Sequence, residues 1–237
     1  MLYDLYNKEM DEYMAKDFNH PNVVESYDEH IRKLIPGYEL IHLQVNALLK
    51  TYASEHAHIL VVGCGTGHEL RYLAKQFPQW RFTAIDPAQN MLEKAKALLA
   101  AEHLDQNITF IHTDTSGLKD LQQSFDVALS ILVSHFIPET AKAMYFQEIY
   151  QALNENGICL SYDLMQISDQ KQLKTLQHLA ELTGLAEKQS QAMVERLQDD
   201  FHLISNQDLH RILKNIGFQS VENFAQVLNY FGTFAVK

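Results

Sequence analysis

Apolar positions recur at helical spacing through the first fifty residues and at strand length after them. Over Tyr38–Tyr52, Leu40, Ile41, Leu43, Val45, Leu48 and Leu49 mark the buried side of a helix. Val23–Leu34 reads as another helix, stopped before the turn pair Pro36-Gly37. Residues 1–20, rich in Tyr, Asp, Glu and Met, read as a first helix up to Asn19-His20-Pro21. From His58 the pattern changes. Ile59-Leu60-Val61-Val62 is a fully apolar run, as in a strand covered on both faces. It opens an alternation: strand 58–63, helix 68–77, strand 80–85, helix 88–101, strands 107–112 and 124–131, helix 139–152 and strand 156–162. Pro78 stops one helix, Asp86-Pro87 caps the next, Pro138 starts another, and Asn156-Gly157 is expected to end it. A helical region follows over 168–200, broken near Gly184, then a helix over 205–216 ending at Gly217. Phe218–Phe224 and Val227–Val236 read as two closing strands joined by a tight turn.

This alternation predicts an α/β fold. It is a Rossmann-like, seven-stranded, mostly parallel sheet with helices on both faces, closed by an antiparallel strand pair. One domain is expected over residues 1–237. Residues 1–54 form an N-terminal helical cover, 55–165 the ligand-binding core, 166–204 a helical insertion over the site, and 205–237 the last helix and closing strands.

Composition narrows the partners. The net charge is −11 with no basic run, which argues against nucleic acid or an anionic membrane. Asp4 and Glu9 near the start are unlike a signal peptide, and no apolar run is long enough to span a bilayer. Cys64 and Cys159 fall in segments expected to be buried, and neither has neighbours at metal-ligand spacing. No metal site is expected, and the compartment read from these features is the cytoplasm.

Chemistry concentrates where the first strand ends, at Gly63-Cys64-Gly65-Thr66-Gly67. A glycine turn between strand and helix lets backbone approach a ligand closely. Three readings compete: a plain tight turn, a dinucleotide loop, and a Gly-x-Gly-x-Gly loop that resembles the S-adenosylmethionine loop of class I methyltransferases. The dinucleotide fingerprint needs a small residue where this chain has His68, and the Gly-Lys-Ser/Thr of a phosphate loop is absent. Asp86 follows Gly67 by 19 residues and ends the second strand, where a carboxylate accepts from two ribose hydroxyls or caps the following helix. Pro87 follows it. Asn90 and Met91 lie one turn into that helix, with the thioether suited either to an adenine face or to the core. Asp114, with Thr115 beside it, ends the third strand and suits the adenine amino group.

These signals, in this order over residues 55–165, resemble the class I S-adenosylmethionine-dependent methyltransferases. The resemblance implies S-adenosyl-L-methionine as cofactor, S-adenosyl-L-homocysteine as product, and a small-molecule substrate. Ile31–Tyr38, His135–Glu139, Ile149–Asn154 and Ile216–Gly232 also resemble the carboxy-S-adenosylmethionine synthase family, over most of the chain. That family implies a cytoplasmic homodimer, a tyrosine at Tyr38 reaching the cofactor's amino-acid end, and a ligand-contacting asparagine where Ser130 stands. It also uses a late arginine to hold an added carboxylate, for which Arg196 is the nearest match after a shift of about two residues. The glycine loop here is more regular than that family's.

A sulfonium is already activated, so methyl transfer needs geometry and at most one base. His135 after the fourth strand and Tyr162 or Asp163 after the fifth are the candidates. Tyr27, Tyr38 and Tyr230 are candidates for the substrate side. Carboxyl transfer to the cofactor, and cofactor binding without catalysis, are the competing functions.

Overall fold

The computed structural model describes residues 17–237. Helices α1 (Pro21–Leu34) and α2 (Tyr38–Tyr52) precede the first strand. Then come β1 (His58–Val62), α3 (His68–Gln76), β2 (Arg81–Asp86), α4 (Gln89–Ala101), β3 (Ile108–His112) and β4 (Phe125–Ile131). They are followed by α5 (Glu139–Ala152), β5 (Leu153–Leu164), α6 (Gln170–Leu182) and α7 (Glu187–Asp199). The chain closes with α8 (Asn206–Ile216), β6 (Ser220–Val227) and β7 (Tyr230–Val236). Of the helix expected over residues 1–20, only 17–20 lie within the described residues, and they form a turn ahead of α1.

The strands form one seven-stranded sheet in the order β3-β2-β1-β4-β5-β7-β6. The first five are parallel, and β7 runs antiparallel to both β5 and β6. All five residues of β1 are buried. Successive side chains point to opposite faces of a strand, and the core divides accordingly. Ile59 and Val61 belong to one hydrophobic cluster with Ile41, Leu73 and Leu92, while Leu60 and Val62 belong to another with Phe146, Ile149 and Leu213. Each fully buried Leu or Ile stabilises the fold by roughly 1.5–3 kcal/mol. Val61 pairs with Ala84 on one side and Leu129 on the other, so the chain order reverses at β1. Beyond the C-terminal ends of parallel strands, such a reversal opens a crevice.

The helical cover is fastened to this crevice. Lys94 Nζ on α4 donates to the carbonyls of Val24 and Glu25, and Thr66 in the glycine loop donates to Asp28 on α1. Thr183, just after α6, donates to the carbonyl of Lys33 at 2.6 Å. Gly184, at φ +105°, separates α6 from α7 as expected.

Two features depart from the sequence reading. α5 keeps its expected span, but Asn156-Gly157 does not end it. It ends at Ala152, and Leu153 opens β5 directly, pairing with Phe125 and burying its side chain. The irregularity falls inside the strand, where Asn156 takes φ +61°. Two 3₁₀ turns, Thr115–Leu121 and Ser134–Phe136, are additions at the crevice edge. Among the described residues no helix is long and apolar enough to cross a membrane.

Candidate functional site

Gly63, Gly65 and Gly67 all take left-handed φ, at +66°, +52° and +83°. A Cβ on Gly63 would stand 2.6 Å from Val133 Cγ2, and one on Gly67 would stand 2.9 Å from Ala95 Cβ. A Cβ on Gly65 would meet nothing within 4 Å. Two of the glycines therefore serve packing, and the middle one leaves open space. The loop is tied to β2, because the N–H groups of Gly63 and Cys64 donate to the carbonyl of Ile85. Gly65 N–H donates to Asp86 Oδ2 at 2.8 Å, and Ala88 N–H donates to Asp86 Oδ1 at 2.8 Å. Asp86 is thus both the anchor of the loop and the cap at the start of α4. Burial pushes its carboxyl upward, partly offset by those two N–H bonds and by His112.

Cavities lie on both sides of Gly63. One is lined by Tyr38, Cys64, Gly65 and Thr66 of the loop region, together with His42 and Glu69. The other is lined by Pro87, Asp114 and Thr115, against apolar Val133, Ile137 and Met144. Asp114 Oδ1 accepts from Ser116 N–H at 2.9 Å and so caps the 3₁₀ turn. Thr115 Oγ1 donates to Glu148 on α5 at 2.6 Å. Asn90, Met91 and Ser130 lie away from both cavities. Met91 is 2% exposed and packs against Val23 and Val24 of α1, and Asn90 donates to the carbonyl of Asn19. Ser130 is fully buried and shares a 2.7 Å hydrogen bond with Tyr145 Oη.

A third, mostly apolar cavity gathers residues that are remote in sequence. Tyr27 of α1, His135, Arg196 of α7 and Tyr230 of β7 share its wall with Phe136 and Phe201. Tyr27 and Leu132 line this cavity and the glycine-loop cavity alike, so the two abut there. Leu132 itself has φ +62° and donates its N–H to the carbonyl of Tyr162 at 2.7 Å. A non-glycine residue in that region is a strained position of the kind that collects at functional sites. Among the described residues Arg196 forms no ion pair.

Of the three candidate bases, His135 alone lines the cavity. Its Nδ1 lies 3.0 Å from Asp163 Oδ1, off the line of a ring N–H bond. Asp163 is 1% exposed and accepts from Ser134 Oγ at 2.7 Å and from His135 N–H at 3.3 Å. Lys142 of α5 is also buried and donates to the carbonyl of Ser134. Burial pulls the Lys142 ammonium below its usual range, while the Asp163 charge opposes that. Tyr162 is buried, its hydroxyl has no partner, and its ring stacks on Tyr230 at 5.8 Å. Burial raises that hydroxyl's pKa and so holds it protonated. His42, Glu69 and Lys142 escaped the sequence reading. Glu69 does stand two residues after the last glycine of the loop, but a glutamate in a first helical turn ordinarily faces water.

Residues 59–157 match the family model of a methyltransferase domain. The plantazolicin methyltransferase BpumL, solved with a triazolic desmethylPZN analog and S-adenosylhomocysteine, superposes with a TM-score of 0.70 at 16% identity, covering 100% of this chain and 98% of that one. An O-methyltransferase family protein from Burkholderia thailandensis gives 0.69 at 12% identity over 93% of this chain, which spans only 61% of that protein's length. The fold is that of the class I S-adenosylmethionine-dependent methyltransferases. Over its length it is similar to the carboxy-S-adenosyl-L-methionine synthase of Haemophilus ducreyi, with 23% identity over 222 residues, 91% of this chain and 90% of that protein.

Proposed function

We propose that this protein is an S-adenosylmethionine-dependent methyltransferase whose acceptor is a small, largely apolar molecule bearing an anionic group. The observation that carries the reading is the junction at Tyr27 and Leu132, where a glycine-loop cavity meets an apolar cavity holding Arg196 and His135. The residues fit the cofactor. Gly65 leaves space where any side chain would stand, and unpartnered buried atoms of His42 and Glu69 belong to the same cavity. The apolar walls beside Asp114 suit a flat base, while Asp86 lines neither cavity and serves by holding Gly65 and the start of α4 in place.

When bound, the cofactor supplies a methyl group already activated on a sulfonium. The protein's part is then to place the acceptor in line and to take one proton. Nδ1 of His135 is turned to Asp163, which leaves Nε2 as the atom to receive that proton. Asp163 and Ser134 fix the backbone from which His135 projects. The Arg196 guanidinium pairs with the acceptor's anionic group. Tyr27, Tyr230 and Phe201 exclude water from the cavity. We assign Asn90, Met91 and Ser130 to the framework rather than to ligand contact.

The test compares aromatic and aliphatic carboxylic acids with their neutral amides as methyl acceptors. The acids should be preferred. Arg196→Met should raise KM for the acids about 10- to 100-fold, the worth of a charge-assisted hydrogen bond. S-adenosylhomocysteine affinity should stay unchanged. Equal use of acids and amides by the wild type would remove the anionic acceptor.

Carboxyl transfer to the cofactor is the second reading. The place of Arg196 in the cavity next to the glycine loop favours it, as does the similarity to carboxy-S-adenosyl-L-methionine synthases. Mass spectrometry of the nucleoside that co-purifies separates the two, because a carboxylated sulfonium belongs to this reading alone. We further take the chain to be one domain that works as a cytoplasmic homodimer. Buried free thiols at Cys64 and Cys159 suit a reducing compartment, and exposed Leu40 and Leu43 give α2 an apolar outer face for a second copy.

A further inference from the structure

The glycine-loop cavity holds a cluster that the roles above leave unused. His42 of α2 is 5% exposed, and neither ring nitrogen has a hydrogen-bond partner among the described residues. Oε2 of Glu69, in the first turn of α3, is also buried without a partner. His42 Nδ1 lies 3.7 Å from it, beyond hydrogen-bond range. Each such orphaned atom costs about 1–3 kcal/mol, so a cluster of them points to a polar group that arrives from outside. The cavity across Gly63 has apolar walls suited to the adenine. This cavity therefore takes the amino-acid end, where an ammonium complements a carboxylate.

We propose that Glu69 binds the α-ammonium of S-adenosylmethionine as a carboxylate, that neutral His42 offers its N–H to the adjoining α-carboxylate, and that cofactor binding expels a proton from Glu69. The proposal rests on the cofactor reading above. In the step, the O–H bond of the Glu69 carboxyl breaks, the proton passes to solvent, and an ion pair forms. Nothing is oxidised or reduced.

The charges around the pair support this direction. Burial pushes the Glu69 carboxyl up to about 8, so it is protonated at pH 7 in the free protein. Burial first, then His68 and Arg32, push His42 down to about 4, so it stays neutral. Arg32 of α1 is bonded to Glu39 of α2 at 2.8 Å and reaches His68, and Asp28 of α1 accepts from Thr66. Asp86, from the β2 side, already accepts from Gly65 and Ala88. Tyr38 and the Cys64 thiol are held protonated by burial. No cation is therefore already paired with Glu69 among the described residues.

The experiment is calorimetry of S-adenosylhomocysteine binding in buffers of different ionisation enthalpy. At pH 7 the wild type should release close to one proton, and affinity should rise about tenfold from pH 6.5 to 7.5. Glu69→Gln is near-isosteric with the protonated carboxyl. It should bind more weakly, with no proton release and a flat pH profile. 5′-Methylthioadenosine, which lacks the amino-acid portion, should bind the wild type without releasing a proton. Equal proton release by wild type and Glu69→Gln, or by the two ligands, overturns the proposal while leaving the cofactor reading intact. Absence of S-adenosylhomocysteine binding to the wild type overturns both.

Discussion

Gly65 and Gly67 stand two residues apart in one loop and answer to different constraints. At Gly67, a Cβ would press on Ala95 at 2.9 Å and on Leu99 at 3.0 Å, with φ at +83°. Gly67→Ala therefore combines a left-handed penalty of about 1–2 kcal/mol with overpacking of about 1–3 kcal/mol. Urea unfolding should show a loss of roughly 2–5 kcal/mol from those two sources. At Gly65 the Cβ meets nothing within 4 Å among the described residues, so Gly65→Ala should cost only the left-handed penalty of about 1–2 kcal/mol. Its methyl would occupy the space kept for the ligand, and S-adenosylhomocysteine affinity should fall at least tenfold by calorimetry. Unchanged affinity would mean that the open space is not where the ligand lies. In sequence these glycines read as one motif. What separates them is Ala95 and Leu99, brought in from α4, which no local pattern contains. The same holds for Met91, whose spacing suited either a ligand or the core. Only the docking of α1 on α4 shows it packed against Val23 and Val24.

The strand-and-helix alternation was legible almost throughout, because fully buried parallel strands read as short continuous apolar runs between glycine and proline punctuation. The exception is instructive. Asn156-Gly157 signals a backbone irregularity, but the dipeptide cannot say which element contains it, and here it lies within β5. Lys142 was illegible for a related reason. A lysine in an amphipathic helix ordinarily faces water, whereas this one is 1% exposed because α5 turns it towards Ser134 and Asp163. Among the described residues the two charges form no direct ion pair but share Ser134, whose carbonyl accepts from Lys142 and whose hydroxyl donates to Asp163, and a buried charge that loses its opposite is costly. Lys142→Met and Asp163→Asn alone should each destabilise by about 3–5 kcal/mol, the first stranding a carboxylate and the second an ammonium. The double substitution should recover part of that loss, with a coupling of about 1–3 kcal/mol in a double-mutant cycle. Simple additivity would show that the two charges do not interact.

At the scale of the whole molecule, the buried pair in the glycine-loop cavity should shape stability against pH. His42, held near 4 when folded, binds fewer protons in the native than in the unfolded state between about pH 4 and 6.5. By itself it makes stability rise with pH over that window. Glu69, held near 8 when folded and near 4.5 when unfolded, binds more protons in the native state between those values, so its contribution falls as pH rises. From about pH 4.5 to 6.5 the slopes oppose and nearly cancel. Above 6.5 only Glu69 remains of the two, and it should remove about 1.4 kcal/mol per pH unit until about pH 8, or roughly 2 kcal/mol in all. Asp86 also shifts upward on burial, so the measurement is the difference between wild type and Glu69→Gln, which cancels its share. Urea unfolding of the two ligand-free proteins at pH 5.5, 6.5 and 8 should show the variant gaining on the wild type across both intervals, by about 1.4 and then roughly 2 kcal/mol, because the His42 share is common to both and cancels as well. Parallel curves from pH 6.5 to 8 would show that Glu69 is ionised in the free fold. The carboxylate would then stand ready before any ligand arrives, and the proton released on binding would have to come from elsewhere.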